Sequence, residues 1–183
     1  MPLDADEREG LLLSHVSTRG ELNEVEQANI LEAEQWAHAR RRDVLSEKAL
    51  NELHKRMFGR VWKWAGQFRT TEKNIGIPPF RIAPDLRQLI DDCRHQLERR
   101  ACSPDELAAR FHHRLVSIHA YPNGNGRHAR LAADLLVESL GQPRFTWGSA
   151  SLVDAGAARR RYVDALRAAD VHDIRPLLEF MRT

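Results

Sequence analysis

Apolar residues recur every three to four positions along most of this 183-residue chain, the period of helices that each turn one face to a core. Asn23 to Arg41 carries Val25, Ile30 and Trp36 among charged residues, with alanines that favour helix. Ser46 is placed to cap a second helix bearing Leu50, Leu53 and Met57 on one side. Pro84 reads as a first-turn proline, and Leu86, Leu89, Ile90, Cys93 and Leu97 follow at helical spacing. Ser103-Pro104-Asp105-Glu106 is a capping box with proline at the first helical position. It starts a helix whose stripe of Leu107, Phe111, Leu115 and Ile118 ends at His119. The next helix begins around Gly126, buries Leu131, Leu135 and Leu136, and stops near Gly141. Two more patterns carry Tyr162, Val163 and Leu166, then Leu177, Leu178 and Phe180 behind a cap at Asp173.

One stretch breaks the period. Gly66 to Ile82, GQFRTTEKNIGIPPFRI, is rich in Thr, Ile and Phe and is punctuated by Gly76 and Pro78-Pro79. It predicts a short hairpin or extended flap. The expected class is all-α, a helical bundle with a small β-hairpin flap.

Composition changes this picture little. Hydrophobic residues make up 42% and charged residues 30%, enough apolar surface for a packed core. The length fits one domain with an extra arm, divided as an N-terminal arm (1–45) and a domain (46–183). No apolar run is long enough to span a bilayer. The opening MPLDADEREGLLLSH is acidic and lacks a secretory signal. A soluble cytoplasmic protein without membrane contact is the expectation. A net charge of +2 does not argue for nucleic acid, and the arginine runs Arg40–Arg42 and Arg159–Arg161 read as solvated helix faces. Cys93 and Cys102 form neither a disulfide framework nor a zinc pattern, and Cys93 fits a core position. His112, His113 and His128 fit partly exposed helix positions with no metal-ligand spacing.

Chemistry concentrates in His119-Ala-Tyr-Pro-Asn-Gly-Asn-Gly-Arg-His-Ala-Arg130. Glycine and asparagine tolerate the backbone angles that turn several N–H groups inward. The following helix adds free N–H groups and the positive end of its dipole. Such a loop favours an anion, above all a diphosphate. Arg127 and Arg130 lie three apart on the first turn and can reach neighbouring phosphate oxygens. His119 beside this cradle is a candidate general base, since imidazole titrates near neutrality. Tyr121 is expected to point into the core and fix the loop.

These residues resemble the motif of the Fic family, His-x-Phe-x-(Asp/Glu)-Gly-Asn-Gly-Arg-x-x-Arg. His119, Gly124, Asn125, Gly126, Arg127 and Arg130 match it, and Tyr121 stands at the Phe position. WAGQFRTTEKNIGI and YVDALRAADVHDIRPLLEFM are also similar to family segments, so the likeness runs from about Trp62 to the end. In wording the chain resembles the subgroup called mobile mystery protein B. The resemblance implies a Fic-like bundle that transfers AMP from ATP to a Ser, Thr or Tyr hydroxyl of a target protein. By it, His119 is the base, and Gly124, Asn125 and Gly126 hold the α- and β-phosphates. Arg127 and Arg130 orient the β- and γ-phosphates, and Tyr121 and Ile118 support the loop. The flap, with Thr71, Glu72, Lys73, Asn74, Ile75 and Gly76, would pair with the target's backbone as an added strand. A small regulator or antitoxin is a further partner that the resemblance implies.

Asn123 departs from the motif. The family's acid binds Mg²⁺ (or Mn²⁺), and a neutral amide is a weaker ligand. A metal could still be held by the nucleotide's phosphates. The alternatives are a weak or inactive nucleotide-binding module, or transfer from another phosphate-containing donor. Many relatives also carry an inhibitory helix, (Ser/Thr)-x-x-x-Glu-(Gly/Asn), whose glutamate pairs with the second motif arginine. Ser17 and Glu21 match its spacing, with Leu22 in place of the last position, Asn23 next, and Glu24 and Glu26 as nearby competitors; the match predicts a brake in which Glu21 reaches Arg130.

Overall fold

The computed structural model describes residues 10–39, 43–149 and 155–183. Within them run seven α-helices: α1 (Arg19–His38), α2 (Glu47–Phe58), α3 (Ile82–Arg99), α4 (Pro104–Ile118), α5 (Asn125–Ser139), α6 (Ala155–Asp170) and α7 (Arg175–Arg182). A 3₁₀ turn, Pro79–Arg81, leads into α3. The run Arg40–Arg42 lies outside the described residues.

Caps decide where the helices start. The Ser46 hydroxyl accepts from the Ala49 N–H at 3.1 Å, as its position predicts. Ser103 accepts from the Glu106 N–H at 3.2 Å, but the Glu106 carboxylate turns to Arg110 at 2.7 Å, so only half of that capping box forms. The complete box lies at Thr18 and Glu21, a Thr-x-x-Glu spacing read above only as part of a brake. It starts α1 four residues before Asn23. Two satisfied end groups offset the roughly 1 kcal/mol that Gly20 costs inside a first turn.

Helices α4 and α5 pack against each other at the centre, and α1, α2, α3 and α7 flank them. Ala108, Ala109, Ala129, Ala132 and Ala133 are completely buried along these two helices. Small side chains let the two backbones approach closely, while Phe111, Leu115 and Ile118 fill the space to either side. Cys93 is buried in the same core, as its place in the apolar stripe predicts. Helix α1 contributes Leu22, Ala33 and Ala37 to it.

Two expectations are corrected. Gly66 to Ile82 forms no hairpin. An isolated antiparallel bridge joins Leu11 and Trp62 outside this segment, and no residue of 66–82 is in a strand or bridge. Pro78 and Pro79 remove donors a ladder would need, and Arg69 takes the carbonyls of Thr71 and Ile77. The segment is therefore an extended loop. Second, His112 and His128 are not partly exposed; they are buried in α4 and α5. Each fills an inward position and finds a partner there, Tyr162 for His112 and the Leu50 carbonyl for His128.

Candidate active site

Helix α4 ends on His119, whose φ of 53° and ψ of 56° are left-handed. A non-glycine residue in that region stores strain that the surroundings must hold. The holding is visible in the next few residues. The buried Asn125 side chain accepts from the Tyr121 N–H at 2.9 Å and donates to the Tyr121 carbonyl at 2.8 Å. It thereby closes the loop on itself. The Tyr121 ring is buried, and its hydroxyl donates to Asn51 at 2.8 Å, so it fixes the loop from the core side as its position predicts. His54 of α2 stacks on Tyr121 with centroids 3.7 Å apart. Its Nδ1 accepts from the Gly66 N–H at 3.0 Å, which leaves Nε2 as the protonated nitrogen donating to the Asn123 carbonyl at 3.1 Å. Burial, with His128 beside it, pushes the His54 pKa down to about 2, so this bridge stays neutral.

The loop needs fewer special backbone angles than its composition suggests. After His119 only Gly124 in it is left-handed, at φ 78°, and a Cβ there would meet the Phe58 ring at 2.5 Å. Asn125 and Gly126 already belong to α5. Their N–H groups are among the first four of that helix, which have no intrahelical acceptor. They edge a cavity of about 620 Å³ lined by His119, Asn123, Arg127 and Arg130, and by Trp147, Arg159 and Tyr162 from beyond α5.

His119 stands half-buried at this cavity. Its Nδ1 is buried and makes no hydrogen bond among the described residues. Burial first, and the nearby Arg69 cation second, hold its pKa below the usual histidine value. The ring is therefore neutral at pH 7 and able to take a proton. Arg130 lies over the Tyr162 ring at 4.4 Å and near Trp147 at 5.6 Å, an aromatic clamp that aims its charge. His112 supports the clamp from beneath through Tyr162 at 2.9 Å.

The expectation that Glu21 reaches Arg130 is not met. The Glu21 carboxylate accepts from the N–H groups of Ser17 at 2.9 Å and Thr18 at 3.0 Å, and from the Ser17 hydroxyl at 3.2 Å. These bonds cap α1 and lower its pKa. Glu26, five residues on, is the buried acid. It pairs with Arg127 at 2.6 Å and accepts from the Trp62 indole N–H at 2.6 Å. Arg130 has no carboxylate partner among the described residues. A signal for Glu26 was present: Leu22, Glu26, Asn29, Ala33 and Ala37 share one buried face of α1, and a glutamate on such a face needs a cation.

The flap residues Thr71, Glu72, Lys73, Asn74, Ile75 and Gly76 are all exposed. The base of the flap is not. Buried Arg69 donates to the carbonyls of His119 at 2.7 Å, Thr71 at 2.9 Å and Ile77. Its own N–H bonds to the Ala120 carbonyl at 2.9 Å. Gly76, at φ 97°, lies so close that a Cβ would fall 2.6 Å from that of His119. Arg69, Trp147, Arg159 and Tyr162 escaped the sequence reading because their partners are distant in the chain.

The comparisons with known proteins bear on this arrangement. The model of the Fic/DOC family matches residues 44–137, which include the whole loop and both arginines. The chain belongs to the Fic/DOC family. Its relatives include Protein adenylyltransferase Fic of Culex quinquefasciatus, 32% identical over 145 residues, covering 76% of this chain and 27% of that one. Protein adenylyltransferase fic-1 of Caenorhabditis elegans is 28% identical over 144 residues with the same coverage. This chain thus spans about a quarter of the length of these relatives. Among solved structures, C. elegans Fic-1 (residues 134–508, E274G) superposes with a TM-score of 0.69 at 25% identity, over 93% of this chain and 50% of that one. BepC of Bartonella tribocorum, with bound AMPPNP, has a TM-score of 0.73 at 17% identity, over 96% and 95%. It shares the fold.

Against the Fic pattern, Asn123 is the residue that matters. Its Oδ1 accepts from the Gly124 N–H at 2.7 Å. A carboxylate in this pose would still turn a second oxygen outward. The amide turns out an NH₂ group, which donates and repels a cation. No group of three or more metal-ligating side chains occurs among the described residues. With an amide at 123 and no carboxylate among the described lining residues, the protein side of this site does not fit a directly held divalent cation.

Proposed function

We propose that this chain carries the transfer site of a protein adenylyltransferase, with ATP as donor and a protein hydroxyl as acceptor. The observation that carries the reading is the cavity itself. It gathers a neutral histidine, a helix N-terminus and two arginines around one space. The names of the relatives and the AMPPNP bound by BepC support the same donor.

In this reading the loop and the start of α5 hold the α- and β-phosphates through backbone N–H groups. Arg130 and, once released, Arg127 bind the outer phosphates. The acceptor hydroxyl approaches between flap and loop, its backbone laid along the exposed residues 71–76 as an added strand. His119 takes the hydroxyl proton, the oxygen forms a bond to the α-phosphorus, and the bond to the β-phosphate oxygen breaks. Pyrophosphate leaves with its charge on the arginines.

The resting site is braked, and Glu26 is the brake. Its carboxylate occupies Arg127, and Trp62 holds it there. Incubation of a cell lysate with ATP labelled on the α-phosphate tests both parts. Glu26→Gln should label a target or the protein itself well above wild type, whereas Glu21→Gln should behave as wild type. His119→Ala in the Glu26→Gln background should lose the label by at least about a hundredfold. No labelling from Glu26→Gln under any divalent cation would sink the transfer reading. The second reading, a nucleotide-binding module without transfer or with another phosphate-containing donor, is favoured by Asn123 alone.

A further inference from the structure

We propose that the cavity takes the polyphosphate of a nucleoside triphosphate without a divalent cation, with the Asn123 amide and Arg159 of α6 supplying the counter-charge and donors. The proposal rests on the donor-site reading above and adds to it how the charge is met.

Three observations carry it. First, Asn123 lines the cavity and its oxygen is bound to the Gly124 N–H, which leaves the amide NH₂ as its free group. At this position the group is a donor to phosphate and a poor neighbour for Mg²⁺. Second, no carboxylate is among the described residues that line the cavity, while Arg127, Arg130 and Arg159 all line it. Arg127 is neutralised by Glu26 at rest. Arg130 and Arg159 are not paired with a carboxylate among the described residues, so two positive charges face the space. Third, the Arg130 Nε is buried without a hydrogen-bond partner. A buried charged donor left unsatisfied is costly unless a ligand completes it.

A triphosphate brings about four negative charges that usually travel with Mg²⁺. Where a protein offers carboxylates, the cation is needed to bridge like charges. Here the lining offers only donors and cations, so a bound Mg²⁺ would add a third positive centre beside Arg130 and Arg159. Arginine forks match phosphate oxygens directly and make that cation dispensable. Arg159 reads from the sequence as part of a solvated run. The fold turns it, unlike its neighbours Arg160 and Arg161, towards the phosphate site.

Titration calorimetry on the whole chain decides the matter, with ATP in EDTA, ATP in excess Mg²⁺, and AMP in EDTA. The expected result is equal ATP affinity with and without Mg²⁺ and much weaker binding of AMP. Arg159→Ala should weaken ATP binding in EDTA on the order of tenfold. Asn123→Asp should weaken it in EDTA and recover it with Mg²⁺. Both residues are exposed, and unchanged melting temperatures would show that the variants fold. Wild-type binding that requires Mg²⁺ would overturn the proposal and leave the transfer reading intact. So would AMP binding as tightly as ATP, or an Arg159→Ala variant indistinguishable from wild type. Absence of nucleotide binding in every condition would overturn both.

Discussion

The loop that follows His119 and the flap adjoin at His119, and they are held by opposite means. The loop is tied from within. Asn125 closes it on Tyr121 with two hydrogen bonds over four residues, and Tyr121 and His54 anchor it to α2. The flap makes no ladder of its own. One buried side chain, Arg69, holds it by carbonyls at 71 and 77 and joins it to the His119 carbonyl. A loop with internal ties keeps its shape whatever binds beside it. A segment pinned at its base leaves its middle exposed for a partner's backbone. The difference suits the proposed roles, a rigid phosphate site next to an adaptable acceptor site.

Removing the flap's pin should have the largest effect. Arg69→Ala takes the guanidinium donor from three part-buried carbonyls, and urea denaturation should show a loss of about 2 kcal/mol or more. Labelling of a protein target in the Glu26→Gln background should fall with it, while ATP affinity stays. If target labelling survives, the flap is not the acceptor surface. Asn125→Ala should do the reverse. It removes two buried hydrogen bonds at a cost of about 2 kcal/mol, and calorimetry should show weakened ATP binding. An Asn125→Ala variant with native affinity would mean that the loop is shaped by α2 alone.

The smallest effect on the rate is that of pH. As the proposed base His119 must be neutral, and its pKa lies below the usual 6.5. The rate of the Glu26→Gln variant should thus be flat through neutrality and fall only below pH 6.5. Stability should weaken over the same acidic range for a separate reason. His54, at about 2, and His128, at about 4, stay neutral in the fold but take protons near 6.5 once unfolded. The unfolded state then binds more protons, so stability present above pH 6.5 is lost as the pH falls, by about 1.4 kcal/mol per pH unit for each histidine. A rate that falls with a midpoint above 6.5 would contradict the lowered pKa of His119.

Much of this was legible along the chain. The helices from α2 onward follow from periodicity and caps such as Ser46 and Ser103, because those signals act within four residues. The loop is legible for the same reason. His119, Gly124 and Arg127 owe their geometry to neighbours a few positions away. The flap was misread as a hairpin because its carbonyls go to Arg69 and not to a partner strand. Glu21 and Glu26 show the same boundary on one helix. Spacing alone matches Glu21 to a brake, yet its carboxylate is satisfied locally by the Thr18 cap.

By itself, then, the sequence determined the helical class and marked out the loop with its histidine, since each is written in short-range pattern. The tertiary structure alone decided which acid meets which arginine. Glu26 and Arg127 lie 101 residues apart, and only the packing of α1 beside α5 brings them within 2.6 Å. It likewise decided that Trp147, Arg159 and Tyr162 complete the cavity and that Arg69 pins the flap. Long-range contacts between charges depend on how whole helices pack, and no local pattern encodes that packing.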